Sequence, residues 1–181
     1  MVAIVRNPEA LGSLFAGITE QTFQAELGIA DPPLIDYLSG LLLRFIRYDA
    51  IFRLRDIVGR RLEDVAGMMW EAEQRQGPPR REVYRHIGDF TLFWTGVYPE
   101  ALDRLRKAGT RDSLLDFTQQ GKRSYRIAGE YDDDPFTAEA AVLRRLSDEF
   151  ELCSVGLRKV RDEWEHAGNA LADDPPHPPA E

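Results

Sequence analysis

The stretch YRHIGDFTLFWTGVYPE, Tyr84 to Glu100, decides the reading of this chain. Together with Val83 just before it, Ile87, Phe90, Trp94 and Val97 recur four and three apart, the spacing of one face of an α-helix. A surface helix would be polar on its other side. Here that side carries Gly88, Leu92, Thr95 and Gly96, with Phe93 and Tyr98 on the flanks. Between Ile87 and Pro99 the single charged residue is Asp89. A helix that is apolar or small all round is a buried helix. The stretch therefore predicts the central rod of an all-α bundle, with one carboxylate inside it.

Glycine within a helix costs about 1 kcal/mol relative to alanine, so Gly88 and Gly96 need a compensating gain. Close approach of a second helix supplies one. Gly88, Thr91 and Thr95 form a smooth strip, and Gly121, Ser124 and Ala128 form a matching strip further along the chain. The two are expected to cross at short distance.

Working outward, helical periodicity continues almost throughout. Residues 9–27 predict one or two short helices, interrupted near Gly17-Ile18-Thr19. Asp31-Pro32-Pro33 is a helix start, an N-cap acid followed by proline in the first turn. Leu34, Leu38, Leu41, Phe45, Tyr48 and Phe52 then predict one helix of about 20 residues. Gly59 ends a linker. Leu62, Val65 and Met69 begin a third helix, which stops before Gly77-Pro78-Pro79. The central helix is expected from Pro79 to Tyr98. Pro99 restarts a short helix that Gly109 ends, and Asp112 or Thr110 caps the next, carrying Leu114, Phe117, Gly121, Tyr125 and Ala128. After the break at Asp132-Asp133-Asp134-Pro135, Leu143, Leu146, Phe150, Cys153, Leu157, Val160 and Trp164 step three and four apart as one long final helix. This heptad-like seam suits either a bundle-spanning helix or a homodimer. No segment alternates with period two as a strand does. The reading is a single-domain bundle of six or seven helices over residues 1–168, with a Pro- and Asp-rich disordered tail over 169–181.

Gly88-Asp89-Phe90-Thr91-Leu92-Phe93-Trp94-Thr95-Gly96-Val97-Tyr98 and Gly121-Lys122-Arg123-Ser124-Tyr125 resemble two blocks of a family of bacterial all-helical proteins of unknown function. Those blocks are a Gly-Asp pair, a Leu-Phe pair and a small-Gly-aromatic run on one helix, and Gly-x-x-small-Tyr on a later one. The resemblance implies an all-helical fold and brings no chemistry.

Composition narrows the function. The 181 residues carry a net charge of −8, opposite to the balance of a phosphate-tracking protein, so nucleic acid is not an expected partner. No apolar run approaches the roughly 18 residues of a membrane span. Arg6, Pro8 and Glu9 interrupt the apolar core that a secretory signal needs, and the lone Cys153 forms no intrachain disulfide. A cytoplasmic location is expected.

Asp89 is the charge to explain, because a buried carboxylate is costly unless it is hydrogen-bonded or paired. Arg85, His86, Tyr125, or a Tyr or Arg from another helix could hold it. Asp89, His86, Tyr125 and Trp94 are also the candidate lining of a small-molecule pocket, apolar with few polar groups. Glu82, His86 and Asp89, at i, i+4 and i+7, have ligand-type spacing for Zn, Mn or Fe. The pair Glu163 and His166 matches half of a di-metal bundle motif, at a helix end where a solvated histidine is also favourable. Asp132–Asp134 lacks the glycine and distal glutamate of a calcium loop. Cys153 sits on an apolar seam, as an inert core thiol does. Trp70 and Tyr37 are expected in the core. No Walker loop, dinucleotide fingerprint, nucleophile elbow or zinc-ribbon spacing is present, and the sequence leaves any cofactor unidentified. The sequence thus points to a non-enzymatic binding or interaction module for a small ligand or protein partner. The alternative is a metal-dependent enzyme on a bundle scaffold.

Overall fold

The computed structural model describes residues 8–46, 48–105 and 110–172. The helices are α1 (Pro8–Glu20), α2 (Pro32–Phe45), α3 (Tyr48–Ile51), α4 (Val65–Gln74), α5 (Gly77–Gly96), α6 (Leu102–Leu105), α7 (Phe117–Gly129), α8 (Thr137–Asp148) and α9 (Phe150–Ala172). Two of them, α3 and α6, are single turns; the other seven run for ten residues or more. Among the described residues the nearest approach to β structure is one isolated bridge between Arg55 and Arg61. No described helix is long and apolar enough to cross a membrane.

The all-α bundle is built around α5. Every residue from His86 to Phe93 is buried, which only a helix surrounded by others can achieve. Its two threonines answer their own hydroxyls: Thr91 donates to the carbonyls of Ile87 and Gly88, and Thr95 to that of Thr91. The expected crossing with α7 is present. A Cβ added to Gly88 would lie 2.6 Å from the ring of Tyr125, and one added to Gly121 would overlap Thr91 and Phe150. Only glycine admits such an approach. The strip does not stay on α7, however. Thr95 meets Ser154 of α9 at 3.2 Å, and Gly96 backs onto Leu157.

Four expected boundaries are corrected. The first helix passes through Gly17-Ile18-Thr19 unbroken and widens afterwards into a π-type turn, Gln21–Glu26, where the Leu27 amide bonds to the Thr22 carbonyl. That turn seats buried Phe23 against Gly156. The stripe starting at Leu34 is shared by α2 and α3, which are separate helices, although Leu34, Leu38, Leu41, Phe45 and Phe52 all reach the core. The third helix starts at Val65 rather than Leu62. The long final helix is two helices: at Glu149 the backbone turns to φ −111°, ψ 28°, and α8 ends. Leu143, Leu146, Phe150, Cys153, Leu157 and Val160 are buried within the chain on both sides of that bend, so this seam is filled from inside and is not an open coiled-coil face.

Asp112 also departs from expectation. α7 is capped by Asp116, and Leu114 is exposed. Asp112 instead accepts from the backbone N–H groups of Val65 and Ala66, while Asp64 accepts from that of Gly67. The orphan donors at the start of α4 are thereby satisfied by two acids, one local and one 47 residues away. Trp70, expected inside, is 69% exposed. α9 continues to Ala172, past the expected boundary at 168. The rest of the expected tail, residues 173–181, lies outside the described residues, as do the helix stop at Gly109 and the side chain of Tyr48.

Candidate functional site

Asp89 is 1% exposed and is held from three directions. The hydroxyls of Tyr37 and Tyr125 donate to its Oδ1 at 2.7 and 2.9 Å, and Arg44 Nη2 donates to Oδ2 at 3.0 Å. Tyr37 and Arg44 lie seven residues apart on α2, two turns along one face, so a single helix brings both to the carboxylate. Tyr125 comes from α7 behind it, in the ring position that Gly88 makes room for. Burial, then the charge of Asp89, raises the pKa of both tyrosines well above the usual 10, so both remain hydrogen-bond donors.

One turn earlier on α5, His86 is fully buried. Its Nε2 lies 2.8 Å from the Ile51 carbonyl, and Arg53 Nε lies 3.2 Å from its Nδ1. A carbonyl only accepts and a guanidinium only donates, so the imidazole is the neutral Nε2–H tautomer with both nitrogens engaged. Burial and then the Arg53 charge push its pKa down to about 4. His86 fastens the end of α3 to α5 and aims Arg53. Glu82 lies 3.8 Å from Arg53 and 3.7 Å from Arg85. Arg85 also pairs with Glu139 of α8 at 3.0 Å. It is not the partner of Asp89, although sequence proximity proposed it. The guanidiniums of Arg44 and Arg85 lie 5.3 and 5.5 Å from the centroid of the Tyr37 ring.

These groups border a cleft of about 470 Å³ between α2, α3 and α5, lined by Leu43, Arg44, Phe45, Ala50, Arg53, Arg85, His86 and Asp89. The lining thus holds three guanidiniums, one carboxylate and a neutral imidazole, with Glu82 and Glu139 pairing Arg53 and Arg85 from outside it. Arg44 and Arg53 are 38% and 46% exposed, and the buried Nε of Arg85 has no hydrogen-bond partner among the described residues. A protein of net charge −8 thus has a recess with an arginine-rich lining and one unused guanidinium donor. A larger groove, about 650 Å³, lies between the 56–62 turn and α4. Its arginines are matched by local acids, Arg60 with Asp56 and Arg111 with Asp64. We therefore place the candidate site at Asp89, where buried charge reaches an opening.

Of the expected pocket residues, Asp89 and His86 line this cleft. Tyr125 stands behind it and holds Asp89, while Trp94 lies elsewhere, on the far side of Phe45. The proposed ligand set Glu82, His86 and Asp89 is not brought together. Each of the three is committed to different partners, and among the described residues no group of three or more His, Cys, Asp or Glu side chains is gathered as a metal site. His166 is exposed, with Nδ1 2.6 Å from the Asp162 carbonyl. Cys153 is buried, its thiol pushed up to about 12 by that burial, and behaves as core. Sequence reasoning missed Tyr37, Arg44 and Arg53. The Tyr37 and Arg44 spacing was visible, but nothing marked it as pointing at Asp89.

No family model, curated protein or solved structure matches this chain.

Proposed function

We propose that the protein is a non-enzymatic binding protein whose site is the arginine cleft over Asp89, and that it takes a small organic anion. The observation that carries this reading is the convergence of Arg44, Arg53 and Arg85 on one recess whose lining holds a single carboxylate, Asp89, while Glu82 and Glu139 meet Arg53 and Arg85 from outside that lining. Planar guanidiniums match carboxylate and phosphate oxygens in a fork geometry that lysine does not offer. Asp89, with its tyrosines, is the fixed base of the site: it orients Arg44 and leaves the outer donors of that side chain toward the opening. His86, being neutral, adds no charge and sets the position of Arg53.

Calorimetric titration with benzoate, and with benzamide as the neutral counterpart, tests the reading. Benzoate is expected to bind and benzamide not. Arg53→Ala should weaken benzoate at least tenfold, the cost of one charge-assisted contact of about 1.4 kcal/mol or more. The variant also leaves the buried Nδ1 of His86 without its donor, so a stability loss of about 1–3 kcal/mol is expected and binding is read well below the unfolding transition. Equal binding of benzamide, or an unchanged benzoate affinity in the variant, would remove the proposal.

A further inference from the structure

On the other side of Phe45 lies a second recess, about 270 Å³, lined by apolar and aromatic groups that include Ile46, Ile51, Phe93, Trp94, Tyr98 and Trp164. Among the described residues its lining carries no charged side chain. Its rings pack edge-on against one another, Phe93 with Trp94 at 5.4 Å and Phe93 with Tyr98 at 5.6 Å. One polar group of this wall is unanswered: the buried indole Nε1 of Trp94 has no partner among the described residues. Phe45 belongs to both linings. The end of α2 and the turn of α3 also serve both, Arg44 and Ala50 on the cationic side, Ile46 and Ile51 on the apolar side.

We infer that the two recesses are the two ends of one site for an amphipathic monocarboxylate, with the carboxylate among Arg44, Arg53 and Arg85 and the hydrocarbon part passing Phe45 to lie against Trp94 and Trp164. This rests on the anion site proposed above and specifies its ligand. The charge complementarity is one-sided, cationic at one end and neutral at the other. That excludes a compact dianion, which would leave the aromatic end unfilled, and excludes a neutral hydrocarbon, which would leave the guanidiniums unanswered. The two volumes together fall within the range of about 300–1,000 Å³ common for small-ligand sites. Burial of hydrocarbon supplies the affinity, and the arginines supply the orientation.

A chain-length series separates this inference from the reading beneath it. Acetate, hexanoate and decanoate are titrated into protein carrying Trp70→Phe, which removes the exposed indole and leaves Trp94 and Trp164 as reporters. Affinity is expected to rise about fourfold per methylene buried until the recess is full, with a change in tryptophan emission from hexanoate upward. Decanol should bind at least tenfold more weakly than decanoate. Ile46→Glu, at an exposed position of the apolar lining, should bring the decanoate-to-acetate affinity ratio toward one. If acetate and decanoate bind equally, or decanoate binds with no change in emission, the two-ended site is overturned while the anion site stands. If no carboxylate in the series binds, the anion site falls too.

Discussion

Along α5, the side that meets α7 and the side that meets α2 and α3 bury the same rod by opposite means. Toward α7 the contact is made by absence. Gly88 and Gly121 present no side chain, the Tyr125 ring and Thr91 fill the space, and no room is left. Toward α2 and α3, beside the rings of Phe45 and Phe52, the contact is made by long charged groups: Arg44 anchored by Asp89, Arg53 by His86 and Arg85 by Glu139. Small residues close an interface to the density of a crystal. Guanidiniums on flexible stems, held apart by their own charge, cannot, and a cleft remains. Rigidity and openness on one helix thus follow from which residues were placed on each side, and Asp89 belongs to both: Tyr125 reaches it from the closed side, Arg44 from the open one.

The comparison is broken most severely by Asp89→Ala. Two buried tyrosine hydroxyls lose their acceptor, at about 1–3 kcal/mol each, while Arg44 is exposed enough for water to take over its charge. A loss of about 3–4 kcal/mol is expected in urea unfolding, and a loss below about 1 kcal/mol would show that Asp89 does not tie the two sides together. Next in size is a pH effect confined to the open side. His86 is depressed to about 4 in the folded protein against about 6.5 unfolded. The unfolded state therefore binds the extra proton between those values, and stability falls as pH is lowered from about 6.5 to 4, by about 3 kcal/mol at the bottom of the window. The charged groups around the ring are Arg53, Arg85 and Asp89, and the two arginines oppose its protonation. His86→Gln should flatten the decline relative to the parent in chemical denaturation at pH 7 and pH 4. Parallel slopes for the two proteins would mean the ring titrates normally. The smallest effect sharpens the closed side. Gly88→Leu should cost about 1–3 kcal/mol by overpacking against Tyr125, and an unchanged thermal midpoint would mean that the crossing is not tight.

Much of the closed side was legible. An apolar helix with glycines, a matching small strip, and a tyrosine four residues beyond Gly121 are all local patterns, and local patterns are what a sequence displays. Asp89 stood out for the same reason, as a lone charge among aromatics. The open side was not legible, because its groups come from three helices and their meeting is set by tertiary packing. Arg44 and Tyr37 are 45 and 52 residues from Asp89, and an arginine on an otherwise amphipathic helix looks like a solvated one. The ligand-like spacing of Glu82, His86 and Asp89 was real but empty of meaning, since arginines from elsewhere claimed all three side chains, Arg53 both Glu82 and His86 and Arg44 Asp89, and the Ile51 carbonyl took the other imidazole nitrogen. The bend at Glu149 was hidden by continuity: Leu146 and Phe150 are four apart, so the apolar rhythm runs across the break. Trp70 misled in the opposite direction, an aromatic on a helix whose outer face borders a groove.

The capping of α4 by Asp112 has a consequence for the order of events at the ribosome. Val65 and Ala66 emerge 47 and 46 residues ahead of the acid that receives their N–H groups. At about 5–20 residues per second that interval lasts roughly two to nine seconds. Throughout it the first turn of the nascent α4 has only the local Asp64 as its cap, so this helix is completed late, by a piece of chain that emerges after the helix itself.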